Sequence, residues 1–517
     1  MPKNSKITIA KNIRVDRDYI NVCDADMLAA VNSNAVASAS NYSFIRKNRS
    51  IKVSFTYAQC VQCNYMAFQN PDYSNRWFFA WIDNIEYIGE NTCQIDFTID
   101  HFSTWWSALN KTSVFTEREH VASDSYGLHT LPEPVKPDMM ISQGVVQRFF
   151  SNYRIAVFWL PAQINNSNFH YIDIDGVYSP HNLNVYPCTL GGIGALNNDL
   201  SNTGGELSNA NIIAINLIPT AFFDSLPEYS PYWFYGAHNA VTIVNNMPKP
   251  VNLNGYIPVN NKCLMYPYTY IVADNGTNEK IYKYEKFSNI AQGATLNISA
   301  APQPNGTASL YPFNYDGITG ANVAESLTLG DLPMVPFMTD SYAAWLAQKS
   351  SAAQIQGVMS TLTGALAGGL HGGIPGALVG GGLGAAGAFA NYQTQQETAR
   401  NENDRVIGTN NMSMDIFRGL LGYTIAQKCC KADDAERIDR FFSQFGYNVS
   451  ICKVPNYTGR QYWNYVKING SAGYGALPEE SRAIINNALN KGITIWHSHN
   501  NVGNYFIGGT KMQNPII

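Results

Sequence analysis

Cys93-Gln94-Ile95-Asp96-Phe97-Thr98-Ile99 alternates apolar and polar side chains without a break. A period of two puts Cys93, Ile95, Phe97 and Ile99 on one face of an extended chain, the pattern of a half-buried strand. Ile51, Val53, Phe55 and Tyr57 repeat the pattern upstream. The apolar run Phe78-Phe79-Ala80-Trp81-Ile82 predicts a more fully buried strand. A short helix is expected over Phe102 to Leu109. The first part of the chain is therefore expected to be β.

Working outward, residues from about Ser123 to Asp331 are irregular and rich in Gly, Pro and Asn. Short apolar runs stand at Ile155 to Leu160, Ile212 to Ile218 and Ala240 to Val244, with turn signals at Gly191-Gly192, Gly204-Gly205 and Asn275-Gly276. This predicts loop-rich β structure. The last hundred residues read α+β. Ala432 to Phe445 has helical spacing, and Tyr447 to Val454 reads as a strand. Pro478-Glu479-Glu480 opens a helix that closes at Lys491-Gly492, and Ile493-Thr494-Ile495-Trp496 forms a strand behind it.

With 517 residues there is room for three or four domains. Only 14% of them are charged, and Asn, Tyr and Gly fill the gap. That balance suits an uncharged, β-rich assembly protein better than a cytosolic enzyme. A net charge of −4 argues against a basic nucleic-acid-binding surface. It leaves room for a conduit through which DNA slides. Met1 to Lys6 lacks an apolar core, so no secretory signal is expected. Nine scattered cysteines, an odd number, read as reduced thiols. Cys60-Val-Gln-Cys63 is a single pair, short of the four ligands a zinc site needs, and reads as two strand cysteines.

The most unusual stretch runs from Ser350 to Gln396 without a Lys, Arg, Asp or Glu. Within it Gly364, Gly368, Gly372, Gly376, Gly380 and Gly384 recur every four residues. Val358, Leu362, Leu366, Leu370, Ile374, Leu378, Val379, Leu383 and Phe389 supply the apolar positions. In water each glycine costs a helix about 1 kcal/mol relative to alanine. In lipid an unpaired backbone group has no water to turn to, and small residues at i, i+4 let helices approach closely. The run splits at His371-Gly372-Gly373-Ile374-Pro375 into Ser350 to Leu370 and Ile374 to Ala390. A bilayer core of roughly 30 Å needs about 20 helical residues, so the first half is long enough and the second nearly so. Either a helical hairpin or one helix kinked at Pro375 is compatible with the pattern. Abundant Ala and Gly with little Leu or Phe makes the run less apolar than a constitutive anchor. A flexible linker is the plainer alternative, but linkers usually carry Ser, Pro or charge and lack regular Leu and Val.

Gly382-Leu-Gly384-Ala-Ala-Gly387 fits GxGxxG, with Glu402 downstream, yet it lacks a preceding strand and sits in a run dense with glycine. There is no Walker loop, HExxH or GxSxG. Glu117-Arg118-Glu119-His120 reads as a charged strand end. His497-Ser-His499 offers two metal ligands without a third, and the aromatic cluster Tyr229 to Tyr235 reads as core or turn. No catalytic set, metal site or cofactor is expected.

Several blocks resemble the tail-knob (distal tail-tube) proteins of small short-tailed phages of the phi29 type. They are Phe68-Gln69-Asn70-Pro71-Asp72-Tyr73-Ser74-Asn75-Arg76-Trp77-Phe78, Phe97-Thr98-Ile99-Asp100 with Thr104-Trp105, and Arg118-Glu119-His120-Val121. Leu264-Met265-Tyr266-Pro267-Tyr268 follows. Phe442 to Tyr447, Asn464-Tyr465-Val466, Gly492 to His497 and Gly503-Asn504-Tyr505 complete the order. The match is weakest between about 125 and 335.

The resemblance implies a mainly β fold with some α. It would be a multidomain, β-rich tail-tube subunit with inserted knob domains and a long hydrophobic loop. On it, 1–122 is the N-terminal half of a tube domain and 123–335 holds the inserted knob. Residues 336–410 carry a helix and the membrane-active loop, and 411–517 complete the tube. It further implies a virion protein that forms a hexamer on the upstream tail or lower collar protein. The loops would plug the tube, then enter the host cytoplasmic membrane and open a pore for the genome. Duplex DNA would pass without specific binding, through a channel lined by uncharged or acidic residues. Residues 350–396 occupy the loop's place in the family order, with Pro375 and the glycine ladder at its centre. The alternative is a receptor-binding or cell-wall-degrading tail-tip component.

Overall fold

The computed structural model describes residues 5–331 and 422–517, apart from 17–18, 22–23, 41, 46–48, 72–73, 151, 160–170, 175–176, 181, 203–206, 208–211, 224–229, 234–242, 289–292, 301–306 and 508–512. The chain divides into two compact units. Unit 1 is Met1–Asp138, Gly255–Leu264 and Ala432–Ile517; unit 2 is Met139–Asn254 and Met265–Lys431.

Unit 1 opens with a seven-stranded sheet. Its strands are β1 (Lys6–Ala10), β3 (Ala35–Ser40), β4 (Ser43–Ile45), β5 (Ser50–Val53), β6 (Tyr65–Asn70), β7 (Arg76–Gly89) and β8 (Thr92–Ile99). Their order is β3-β1-β6-β7-β8-β5-β4. The two edge strands, β3 and β4, are therefore next to one another in sequence, joined only through residues 41–42. Seven flat strands at about 4.8 Å spacing would separate those edges by about 29 Å. Three peptide steps from Ser40 to Ser43 span at most about 11 Å. The sheet is consequently rolled until its edges nearly meet. The short helix α2 (Tyr57–Cys60) packs on β3, β7 and β8 together, as rolling requires.

Period-two patterning then sorts the side chains. Ile7, Ile9, Ile51, Val53, Met66, Phe68, Phe78, Ala80, Cys93, Ile95 and Phe97 share one core. Their alternating neighbours Tyr65, Ala67 and Phe79 form a second core with Ile13, Val15 and the helix α1 (Asp24–Ser33). The strand expected over 51–57 ends at Val53, because Thr56 and Gln59 form a capping box that starts α2. Cys60 ends that helix and Cys63 lies in the turn beyond it, so the pair is not on a strand.

A second sheet of unit 1 joins both ends of the chain. Its order is β2-β28-β26-β10-β25. The strands are β2 (Tyr19–Asn21), β10 (Val114–Glu119), β25 (Tyr447–Lys453), β26 (Trp463–Asn469) and β28 (Ile493–Trp496). β2 runs parallel to β28, and β10 lies between β25 and β26. Three helices complete the unit: α3 (His101–Trp105), α5 (Ala432–Phe445) and α6 (Glu479–Lys491). His101 Nδ1 lies 3.0 Å from Ser481 Oγ, tying α3 to α6.

Among the described residues every strand pair of unit 2 is antiparallel, including the hairpin of β13 (Tyr171–Ile174) and β14 (Val177–Pro180). One sheet orders β11 (Met140–Phe149), β24 (Gly422–Cys430), β19 (Thr269–Asp274) and β20 (Glu279–Tyr282). Another orders β16 (Ile212–Pro219), β12 (Tyr153–Trp159), β15 (Asn182–Pro187) and β17 (Ser230–Trp233), with α4 (Leu190–Ser201) packed beside it. A third orders β18 (Ile243–Met247), β21 (Ala294–Ala300), β22 (Thr307–Phe313) and β23 (Leu327–Asp331). The irregular middle of the sequence is thus short strands with many turns.

The bend from α5 into β25 depends on Gly446, at φ +62°. A Cβ there would lie 2.2 Å from the Glu119 carbonyl oxygen. Gly446→Ala is expected to lower the unfolding free energy by about 2 kcal/mol or more. Gly89→Ala, where a Cβ would meet nothing within 4 Å, should be near neutral. Urea titration of the two variants checks the contrast; equal midpoints would show that the bend tolerates a side chain.

Candidate functional site

The charge-free segment with its glycine ladder, including Pro375, lies outside the described residues, as do GxGxxG and Tyr229, Phe234 and Tyr235 of the aromatic cluster, whose Ser230–Trp233 form strand β17. What is described is the frame that holds the segment's two ends. β23 delivers the chain to Asp331, and β24 receives it at Gly422. β24 is paired on both sides, by β11 and by β19, and is buried along nearly its whole length. Two hydrogen bonds within unit 2 tie these strands to other sheets. Tyr423 Oη donates to Asn245 Oδ1 at 3.2 Å, linking β24 to β18. Asn275 Nδ2 donates to the Thr328 carbonyl at 2.7 Å, linking the β19–β20 turn to β23.

In unit 1 the least expected feature is a polar clamp on residues 255–264. This segment leaves unit 2, crosses unit 1 and returns. Asp439 on α5 is buried and gathers it. Its Oδ2 accepts from Tyr256 Oη and Val259 N, both at 2.8 Å. Its Oδ1 accepts from Asn260 N at 3.0 Å and Asn260 Nδ2 at 2.8 Å. Asn260 Oδ1 in turn accepts from Tyr447 Oη and from the buried Arg460 Nη2, each at 3.1 Å. Arg460 Nη1 donates to the Asn514 carbonyl at 2.9 Å, so the C-terminal residues join the same network. Lys262 Nζ caps the Leu131 carbonyl at 3.0 Å.

The sequence motifs with chemical promise have structural roles here. Glu117 pairs with Lys467, Arg118 with Glu133 and Glu119 with Lys453. His120 is fully buried. Its Nδ1 accepts from Tyr465 N at 2.9 Å, and its Nε2 therefore donates to the Ser443 carbonyl at 3.1 Å. A proton added at Nδ1 would face another donor, and burial holds the imidazole pKa well below its usual value. His497 lies 2.9 Å from the Asn464 side chain. Among the described residues no group of three or more His, Cys, Asp or Glu is placed to bind a metal ion. Burial, with Cys93 alongside, pushes the Cys60 thiol up to about 12, so a reactive thiolate is disfavoured at neutral pH.

Comparison with known proteins fits this architecture. Residues 235–511, more than half of the chain, match the family described as Bacillus phage phi29, tail knob protein gp9, C-terminal domain. The chain belongs to the phi29-type tail knob family. Residues 3–110, which hold the rolled sheet, match the caudoviral major tail protein N-terminus. The tail knob protein gp9 of Bacillus phage phi29 is 23% identical over 88% of this chain and 89% of its own length. Its counterpart in Bacillus phage B103 is 22% identical over 89% of this chain and 88% of its own. The solved tail knob protein gp12 of bacteriophage C1 superposes with a TM-score of 0.61 at 15% identity, covering 99% of this chain and all of that one. The protein is thus a structural component of a phage tail, with a β-rich tail knob fold. The clamp had no sequence signal beyond an Asn and an Asp far apart in the chain.

Two outcomes follow. Asp439→Ala leaves buried donors without an acceptor and is expected to cost about 3 kcal/mol or more, read by urea unfolding of the full chain. A loss within experimental error would show that water replaces the carboxylate. Second, His101, His120, His129, His497 and His499 all have pKa values below the usual imidazole value, chiefly through burial. Depressed folded pKa values mean the unfolded chain binds more protons. Unit 1 stability is then full above the ordinary histidine value of 6.5 and is lost as pH falls below it. Thermal midpoints between pH 7.5 and 5 should decline, and less steeply in His120→Gln; a flat profile would contradict this.

Proposed function

We propose that this tail knob protein assembles as a hexameric distal tail tube, with unit 1 as the tube domain and unit 2 as the knob. Residues 350–396 of each subunit plug the tube, and at infection they insert into the host cytoplasmic membrane as a pore for the genome. The observation that carries this reading is the charge-free, glycine-laddered run itself. It falls within a single excursion between β23 and β24, in a chain of the tail knob family. Among the described residues no helix is long and apolar enough to cross a membrane. The proposal therefore assigns membrane activity to 350–396.

The modest hydrophobicity of that run suits a segment with two environments. It must stay packed in a virion and still be able to enter lipid. Glycines at four-residue spacing serve both states, because they allow backbone contact between neighbouring copies. The upstream tail or lower collar protein is the proposed partner at the other end of the tube. Duplex DNA passes through without base contacts, and few charges keep phosphate attraction from holding it.

Deletion of 350–396 from the phage genome tests the assignment. Virions should still carry knobs and adsorb, but should fail to depolarise the host or deliver DNA. Loss of the knob from those virions would show the segment to be core instead. Electron microscopy of the purified protein should show sixfold rings with an axial channel, and three-fold fibres or monomers would sink the tube reading.

A further inference from the structure

Only the tip of the β7–β8 hairpin extends beyond the core that supports it, since Cys93 and Ile95, opposite Tyr87 and Ile85, are fully buried. On β7 Phe78, Phe79 and Ala80 are buried in succession; from Asp83 to Asn91 no residue is buried, though Ile85 still packs against the core. Near its tip Tyr87 is 61% exposed and Ile88 46%, adjacent residues on opposite faces. Tyr87 packs edge-on against Tyr57, with ring centroids 6.3 Å apart, so the Ile88 face of the tip is the one left for something else to cover. The hairpin also carries Asp83, Glu86, Glu90 and Asp96, with no Lys or Arg from Trp77 to Ile99. The side-chain partners of Glu86 and Asp96 within the ribbon are the neutral amides of Asn84 and Gln94.

At the base of the same hairpin lies a groove of about 550 Å³. Ile13, Val15, Trp81 and Val502 give it an apolar lining, and Arg14 and Asp16 stand in its wall. Trp81 Nε1 donates to the Val15 carbonyl at 2.9 Å, which fixes the floor. The chain leading into it carries Lys6, Lys11 and Arg14, with no acid before Asp16. Register puts groove and hairpin at one end of the sheet, since Ala10 faces Tyr65 and Tyr65 faces Trp81.

The tip cannot fill its own groove. Ile82 is part of the groove wall, and a strand rising about 3.4 Å per residue carries Ile88 about 20 Å away from it. We propose that the Glu86–Glu90 tip of one subunit docks in the groove of a second copy of this chain, the Glu86 and Glu90 carboxylates facing Lys11 and Arg14. The two surfaces differ, so the contact is heterologous, and contacts of that kind build a ring when the rotation between subunits closes, as the hexamer reading requires. This inference rests on the hexamer reading and adds the contact that builds the ring.

Charge exchange in the full-length protein tests it, with assembly followed by native mass spectrometry. Glu86→Lys with Glu90→Lys should weaken ring assembly about tenfold or more, as should Lys11→Glu with Arg14→Glu. All four together should restore it. These side chains are exposed, so circular dichroism should stay unchanged. A paired Ile88→Cys and Val502→Cys variant should form intersubunit disulfides on mild oxidation with oxidised glutathione, giving a ladder of oligomers that neither single change gives. An intact hexamer insensitive to both reversals, with no ladder, would overturn the docking. A wild-type chain that stays monomeric would overturn the hexamer reading itself, and this contact with it.

Discussion

The buried carboxylate of Asp439 is the constraint on which unit 1 is organised. Taking a charge out of water is costly unless its lone pairs are filled. Here Tyr256, Val259 and Asn260 fill them. Every one of those donors comes from a segment whose sequence neighbours on both sides belong to unit 2. The interaction therefore joins chain connectivity to electrostatics. Residues 255–264 have no strand or helix of their own to hold them along most of their length, and the carboxylate supplies that order instead. Asn260 extends the effect, because its Oδ1 receives Tyr447 and Arg460 while its Nδ2 serves Asp439. Arg460 then reaches Asn514. One acid thus orders α5, β25, the 255–264 segment and the C-terminal residues.

A polar centre of this kind has a direction in pH. His120 sits beside the network as a neutral ring, its two nitrogens already committed to one donor and one acceptor. Arg460 adds to burial in disfavouring a second positive charge there. Acid therefore attacks the junction of α5, β10 and β26 before it reaches the apolar cores, which do not titrate. The expected contribution of this ring is a loss of stability as pH falls, independent of any role assigned to the segment 350–396.

How much was legible in the sequence follows from the range of the forces involved. Alternation found β8, because every second residue from Cys93 to Ile99 faces one core. The apolar run at Phe78 marked β7, whose two faces contact two different cores. Pro478, two acids and Gly492 bounded α6 correctly, since caps and dipoles act within one turn. Phe55 and Tyr57 misled, because the Thr56–Gln59 capping box overrides a pattern that would otherwise continue the strand. The closure of the first sheet was invisible: it depends on which strands pair, and pairing is set by contacts far apart in sequence. The clamp was invisible for the same reason, and so was the hairpin–groove relation. The ladder was the reverse case, conspicuous in sequence because glycine spacing is local.

The frame around that ladder bears on what a departing segment would leave behind. β24 pairs with β11 and with β19, and its first residue, Gly422, faces Phe149 of β11. β23 pairs with β22, and Asn275 adds a bond to Thr328 just before the excursion begins. If 350–396 moves from tube to membrane, the energy of that transfer is set within the segment, by its few Leu, Ile and Val against its many Gly.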